Sequence, residues 1–233
     1  MNGAERTYRY YDFIMAAFVA VLICANMIGP AKASQIVIPG WGPFTFSAGV
    51  MFFPISYIFG DILTEVYGYA RARRVIWAGF AAMIFAAVMA YVVVSLPPAP
   101  DWPNQQAYEI AFGNLWRIVA ASIVAYFCGE FANSFVLAKM KVASNGRKMG
   151  ARFVASTLAS EIIDSAIFYP LAFYGSGLMP NELVFTLMWA QFGLKTLVEF
   201  VMLPVTFRVV AFLKRAEGED YFDRTTNFNP FKL

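Results

Sequence analysis

The sequence predicts an all-α integral membrane protein: a single domain over residues 1–233, built as a bundle of about six transmembrane helices with both termini cytoplasmic. Three observations predict it. Apolar residues make up 60% of the chain and charged residues only 14%, with a mean hydropathy of +0.58, far from the balance of a soluble domain. Apolar runs long enough to cross a hydrocarbon core of about 30 Å recur along the whole chain. The basic residues alternate between connections. They crowd the N-terminus, the connections after the second and fourth runs, and the C-terminus, while the other three connections contribute only Lys32. Because lysine and arginine are retained on the cytoplasmic side, this alternation sets orientation independently of hydropathy.

Taken in order, residues 1–10 form a cytoplasmic N-terminus with Arg6 and Arg9. The first span covers 13–29 and closes on Asn26, Gly29 and Pro30, which read as a broken helix end rather than as the cleavage site of a signal peptide. Between 31 and 45 the string IVIPGWGPF alternates apolar residues with Pro and Gly, the pattern of a small hairpin or a re-entrant turn. The second span, 46–64, ends with Asp61 and Glu65 ahead of the cluster Arg71, Arg73, Arg74. The third, 75–96, is uniformly apolar up to Pro97-Pro98 and reads as scaffold.

Residues 98–114 are polar and Pro-rich, with Asp101 and Glu109 but no lysine or arginine. The fourth span, 115–138, starts near Arg117 and carries Glu130, Asn133 and Ser134 in its second half. A basic loop follows with Lys139, Lys141, Arg147, Lys148 and Arg152. The fifth span is 153–174. The sixth, 183–213, contains Gln191, Lys195 and Glu199, and its length and internal Pro204 predict a kinked or tilted helix. Residues 214–233 form a cytoplasmic tail. No internal repeat marks an inverted-repeat architecture.

Several chemistries are excluded by composition. The chain contains no histidine, so Ser-His-Asp and Cys-His catalysis, histidine metal sites and histidine proton relays are ruled out. Cys24 and Cys128 lie within apolar runs and outside any CxxC spacing, which argues against a disulfide framework or a structural zinc and for two small core residues. No Walker A string is present, so any use of ATP requires a partner. The reading is of a non-enzyme without cofactor or metal.

The apolar spans nevertheless hold ionisable and amide residues: Asp61 with Glu65, Glu130 with Asn133, Glu161 with Asp164, and Gln191 with Lys195 and Glu199. Within each set the spacing is three or four, so each helix carries one polar stripe. An ionised carboxylate at mid-bilayer costs roughly 2.5–3.5 kcal/mol on insertion scales, so acids kept there face a cavity or a partner. Lys195 is the one lysine deep in a span and the natural partner of Asp164, Glu161 or Glu199. Pairs of this kind also fix helix register. Acids outnumber the available cation, however, so a purely structural network leaves carboxylates unpaired, and protonatable carboxylates beside a cavity are what proton coupling requires. Asp61 and Glu65, near the end of their span, have Arg71, Arg73 and Arg74 as alternative interfacial partners. Phe52, Phe53, Tyr57, Phe59 and Tyr67, with Phe168, Tyr169, Phe173 and Tyr174, offer stacking surfaces for a planar heterocycle. Lipid contact or an interfacial belt is the expectation for Tyr67, Tyr69 and Tyr174.

The strings FPISYIFGDILTEVYGYARARRVIW, GEFANSFVLAKMK, STLASEIIDSAIF, LKTLVEFVMLPVTFRVV and KRAEGEDYFDRTTNFNPF together resemble the queuosine precursor transporter family, also described as vitamin uptake transporters. The resemblance covers 52–231 and is carried most specifically by FGDxLTExYG and DxxTNFNPF. It implies a multi-pass protein of the bacterial inner membrane that imports 7-deazaguanines such as queuine, preQ0 or preQ1 for queuosine modification of tRNA. The partners it implies are a small-molecule base and the lipid bilayer, with no nucleic acid, and a homodimer is left open.

It places Asp61, Glu65, Glu130, Asn133, Asp164, Lys195 and Glu199 in a substrate or coupling site. Glu161 and Gln191 join them on helical position alone. Asp164 and Glu130 are the expected base contacts, Lys195 balances charge, and Glu199 or Glu161 is the candidate proton carrier. In the tail, Asn227, Asn229 and Pro230 are expected to cap the cytoplasmic face. Two alternatives stand beside this reading: the substrate-binding subunit of an ATP-driven importer of the vitamin type, and an intramembrane enzyme using paired acids.

Overall fold

A computed structural model describes residues 7–28, 33–40, 42–113, 116–175 and 180–232. The helix end expected at Gly29 and Pro30, Lys32, and the start of the fourth span at residue 115 lie outside the described residues.

Helix dominates because most of the chain is an unbroken apolar run with few residues that compete for backbone hydrogen bonds. In chain order the elements are α1 Tyr11–Met27, β1 Ala33–Ile38, β2 Gly42–Ser47, a 3-10 turn Ala48–Met51, α2 Phe53–Tyr67, α3 Tyr69–Ser95, the single turn α4 Gln105–Tyr108, a π turn Glu109–Gly113, α5 Trp116–Ala143, α6 Met149–Phe173 and α7 Asn181–Glu217. Among the described residues, three stretches are long and apolar enough to cross a membrane: α3, Gln105–Ala143 containing α5, and α7. α1 is apolar but only 17 residues long. α6 has 25 residues, but Glu161, Asp164 and its serines and threonine dilute its hydropathy.

The fold is mostly rather than purely helical: of the two forms expected for the 31–45 connection it takes the hairpin, an antiparallel pair in which Ala33 pairs with Ser47 and Ile38 with Gly42. Its turn uses Gly40 and Gly42 at φ of +85° and +89°, a region open to glycine without penalty. The second span also starts later than residue 46, because that residue is still paired in β2. α2 begins only at Phe53, with Pro54 in its first turn. At 1.5 Å per residue α2 is about 22 Å long, short of a full hydrocarbon core.

Hydrogen bonds place one end of every major helix together. The backbone N–H groups of Arg9 and Tyr10, before α1, donate to Glu217 at the end of α7, at 2.9 and 2.7 Å. Tyr67, the last residue of α2, donates to the same carboxylate at 2.9 Å. Lys141, near the end of α5, and Arg152, in the first turn of α6, both meet Glu65 of α2. At the opposite end, Arg117 of α5 donates to the carbonyls of Leu171 and Tyr174 at the end of α6, at 2.8 and 2.6 Å. The helices α1, α2, α3, α5, α6 and α7 therefore alternate in direction, and the end that gathers the basic residues also holds Arg9 and Tyr10 and the tail that follows α7.

Packing between helices relies on small residues. α5 buries Ala121, Ala125, Gly129, Asn133 and Leu137 at intervals of four, and α6 opposes them with Ser156, Ser160 and Asp164. A Cβ on Gly129 would lie 3.2 Å from both Asp164 Cβ and the Ser160 carbonyl and 3.4 Å from the Tyr57 hydroxyl, so this glycine sets how closely α2, α5 and α6 meet. The outer surface is apolar, with Phe85 and Val88 on α3 and Trp189, Leu197, Phe200 and Val201 on α7 exposed. The sixth span runs as one helix of 37 residues through Pro204. Cys24 and Cys128 are free and half-buried rather than core residues.

After α7 the tail folds back under the basic end. Asp223 is buried and accepts the Tyr69 backbone N–H at 3.1 Å, capping the start of α3 from a distant part of the chain. Arg73 donates to the carbonyls of Asn227 and Asn229 at 2.9 and 2.6 Å. The Trp77 indole donates to that of Pro230 at 2.8 Å. Gly68, between α2 and α3, has φ +84°, and the Tyr221 ring comes to 2.2 Å from where its Cβ would stand.

Candidate functional site

Four helices each present one polar stripe to the interior. On α2 it is Tyr57, Asp61 and Glu65; on α5, Tyr126, Glu130, Asn133 and Ser134; on α6, Thr157, Glu161 and Asp164; on α7, Gln191, Lys195 and Glu199. All are buried. The stripes resolve into two clusters of different electrostatic character.

The first is built around Lys195. Its ammonium donates to Asp164 Oδ2 at 2.7 Å and lies 3.4 Å from Glu161 Oε2. It also stands 4.9 Å from the Phe53 ring centroid and 5.9 Å from that of Tyr57. Of the three acids open to Lys195 from spacing, the structure selects Asp164 and Glu161. Glu199 instead accepts from the Thr157 hydroxyl at 2.6 Å. Asp61 accepts from the Asn133 amide at 2.8 Å, and Thr64 donates to Ser134 at 3.0 Å beside it.

Glu130 fits against α2 where Gly60 has no side chain; a Cβ on Gly60 would be 1.9 Å from Glu130 Oε1. Neither Glu130 oxygen meets a donor in hydrogen-bonding geometry, although the Tyr126 hydroxyl, one turn earlier, lies close by. The Glu161 oxygens, Glu199 Oε2, Asn133 Oδ1 and the Tyr57 hydroxyl are likewise buried without a hydrogen-bond partner. Such groups each cost about 1–3 kcal/mol when desolvated and unpaired.

The second cluster is at the basic end and is compensated in charge, although Glu65 Oε2 and Arg152 Nε lack a hydrogen-bond partner. Glu65 Oε1 accepts from Arg152 at 2.8 Å and from Lys214 at 2.7 Å, with Lys141 at 3.6 Å. Lys141 donates to the Glu65 carbonyl at 2.5 Å, to Asp220 at 2.5 Å and to the Tyr221 carbonyl at 2.8 Å. The structure thus separates Glu65 from the other acids. It also corrects the expectation that Asp61 and Glu65 pair with Arg71, Arg73 or Arg74. Arg71 bonds the Tyr67 carbonyl and Arg73 serves the tail. Lys141 and Arg152, expected in a solvated loop, are buried because α5 and α6 extend past the expected span ends. Tyr67 and Tyr69, expected in an interfacial belt, are core residues.

Gln191 is buried one turn before Lys195. Gly60, Gly129, Tyr126 and Thr157 had no chemical signature in the sequence that would have singled them out; a glycine that faces a buried acid on another helix, as Gly60 faces Glu130, becomes meaningful only once the pairing is known. Among the described residues no three of the metal-binding side-chain types His, Cys, Asp and Glu are gathered to hold a metal ion.

Comparison with known proteins places this constellation. A family model described as "Putative vitamin uptake transporter" matches residues 47–209, which contain every residue of the Lys195 cluster. The Escherichia coli (strain K12) protein named "Queuosine precursor transporter" is 31% identical over 181 residues, 76% of this chain and 75% of its own length. The Bacillus subtilis (strain 168) "Probable queuosine precursor transporter" is 26% identical over 164 residues, 70% of this chain and 71% of its own. No solved structure matches the chain. With buried acids on converging apolar helices inside a match that covers more than half of its residues, the chain belongs to the vitamin uptake transporter family.

Proposed function

We propose that the protein imports queuosine precursors, 7-deazaguanine bases such as queuine, preQ0 or preQ1, across the bacterial inner membrane to supply queuosine modification of tRNA. The names of the relatives give the substrate class, and the buried acids give the chemistry. The observation that carries the reading is the set of buried polar atoms without a hydrogen-bond partner on Glu130, Glu161 and Tyr57 around the Lys195–Asp164 pair. A guanine-like base presents adjacent N1–H and amine donors that one carboxylate accepts together, and an O6 acceptor that an ammonium or a hydroxyl satisfies. Glu130 and Asp164 are the base contacts in this reading. Lys195 balances their charge and meets O6, and Phe53 and Tyr57, already against the Lys195 ammonium, supply ring faces.

The alternating helices, with Arg9, Tyr10 and the tail after α7 at the basic end, support six crossings of the membrane, with that end cytoplasmic. α2 then crosses by way of the 3-10 turn that precedes it. The constellation needs neither cofactor nor catalysis. An ATP-dependent arrangement would require a partner subunit, and nothing at the basic end favours one, since that surface is covered by the chain's own tail. A homodimer remains compatible with this reading.

The test is uptake in cells unable to make the precursors, read out as queuosine in tRNA at limiting external base. Glu130→Gln and Asp164→Asn are each expected to reduce tRNA queuosine at least tenfold, while both proteins remain in the membrane at wild-type level. Undiminished queuosine with either variant would remove that residue from the site.

A further inference from the structure

Each of the four helices that hold the Lys195 site also supplies one side chain to the cluster at the basic end: Glu65 on α2, Lys141 on α5, Arg152 on α6 and Lys214 on α7. On each helix that residue lies beyond the site on the way to the basic end. Asp61 precedes Glu65, Glu130 precedes Lys141 and Glu199 precedes Lys214, while Arg152 stands in the first turn of α6 ahead of Glu161. The cluster therefore closes the four helices between the site and that end. A base that leaves the site in this direction passes where they meet.

The tail completes this closure through a single acid. Buried Lys141 donates to the Glu65 carbonyl on α2 and, across the end of the bundle, to Asp220 and the Tyr221 carbonyl in the tail. Asp220 also pairs with Lys214 of α7 at 2.9 Å, and the Tyr221 backbone N–H donates to the Val66 carbonyl of α2 at 3.2 Å. Two consecutive tail residues thus join the ends of α2, α5 and α7. Farther along, the fixings are of another kind. Asp223 is buried against the start of α3, and the Phe228 ring lies 4.9 Å from that of Tyr69 on α3 and 5.3 Å from that of Phe135 on α5.

We propose that the tail, residues 218–232, is a latch on the exit from the Lys195 site: anchored on α3, it is clasped to α5 and α7 by Asp220 while the basic end is closed, and the clasp opens as the base leaves. The inference rests on the reading of the protein as an importer of 7-deazaguanine bases. Asp220 suits a contact that is repeatedly broken and remade. It is half-exposed, so water competes for its ion pairs and separating them costs little. Its two lysines also keep a carboxylate when it departs, because Lys214 lies 2.7 Å and Lys141 3.6 Å from Glu65 Oε1. Opening therefore strands no buried charge, whereas withdrawing Asp223 from the α3 terminus would leave the Tyr69 N–H without its cap.

The experiment uses the full-length chain carrying Cys24→Ala and Cys128→Ala, with Asn145→Cys and Arg224→Cys added. These last two positions are exposed, and their side chains meet at 3.4 Å between the loop after α5 and the tail. Joined before reconstitution by a reducible bifunctional thiol reagent, they hold the latch shut. The linked protein in liposomes is expected to take up labelled preQ1 at least about tenfold more slowly than the same protein after reduction, while its preQ1 binding in detergent, measured by equilibrium dialysis, stays within about twofold of the reduced form. Asp220→Asn in the otherwise wild-type chain is expected to release labelled preQ1 from loaded liposomes several-fold faster. Undiminished uptake by the linked protein overturns the proposal, as does loss of binding together with uptake, or efflux that Asp220→Asn does not accelerate. Complete absence of preQ1 movement with the wild-type chain would instead sink the importer reading itself, so the two failures are distinct.

Discussion

Replacing Glu65 by Gln tests whether the basic-end cluster is structural. The carboxylate is fully buried and accepts from Arg152 at 2.8 Å and Lys214 at 2.7 Å. Removing one partner of a buried ion pair costs about 3–5 kcal/mol, because the other charge stays desolvated. The whole cost does not fall here. Lys214 is 22% exposed and, like Lys141, keeps Asp220 as a partner. Arg152 is 1% exposed and retains only the Ser144 hydroxyl at 3.3 Å and the Arg147 carbonyl. The lower end of the range, about 3 kcal/mol, is therefore expected, a large part of the roughly 5–15 kcal/mol that a folded domain has in hand.

The assay is equilibrium unfolding of the purified protein in mild detergent, followed by tryptophan fluorescence, for wild type, Glu65→Gln, Arg152→Met and the double variant. If the pair is coupled, the double variant is destabilised by less than the two single changes together, with an interaction energy of about 1–3 kcal/mol. A Glu65→Gln protein within about 0.5 kcal/mol of wild type, or a strictly additive double variant, would refute the assignment.

Three further outcomes follow from particular contacts. Gly60→Ala would place a methyl 1.9 Å from Glu130 Oε1, so Glu130 must leave its seat; uptake should fall at least tenfold while unfolding changes by no more than about 1–3 kcal/mol, the usual range for overpacking, and undisturbed uptake would contradict the placement of Glu130. Gly68→Ala combines a φ of +84° with a Tyr221 ring 2.2 Å from the new methyl. It should release the tail, seen as faster proteolytic clipping after α7, and unchanged clipping would argue against the tail being fastened there. Asp220 supplies a pH dependence. Partial burial pushes its carboxyl up, but hydrogen bonds from Lys141 and Lys214 outweigh this and hold it below its ordinary 3.8. A depressed folded value stabilises above the unfolded value and is lost as pH falls through the folded one. The group is 47% exposed, so solvent screening keeps its share below about 1 kcal/mol. The stability gap between wild type and Asp220→Asn should therefore narrow as pH is lowered from 5 to 3, and a gap that widens would reverse the sign.

The helices and the Lys195–Asp164 pair were legible because they follow from local rules: apolar runs of spanning length, a helical period of 3.6, and one lysine among several acids. The hairpin was half legible, since alternation and glycines mark the turn, but where β2 yields to α2 depends on pairing with β1. The cluster at Glu65 was hidden for a different reason. Lys141 and Arg152 look like loop cations by sequence, and only the extension of α5 and α6 beyond the apolar segments brings them inside. The tail was hidden in the same way, because Asp223 caps α3 across 154 residues of chain, a distance over which no periodicity operates.

Asp61 and Glu65 show why a count of buried acids cannot by itself separate structure from function. They occupy the same face of α2, one turn apart, with nearly equal burial. Yet Glu65 has three cations within 3.6 Å, whereas Asp61 has an amide, and the acids beyond it share a single lysine. A fully compensated carboxylate leaves little for a ligand to gain by displacing its partners. An undercompensated one leaves interaction energy for a substrate or a proton to supply. The boundary between the two regimes falls within one turn of α2, and it is set by cations contributed from α5, α6 and α7 rather than by anything in the α2 sequence itself.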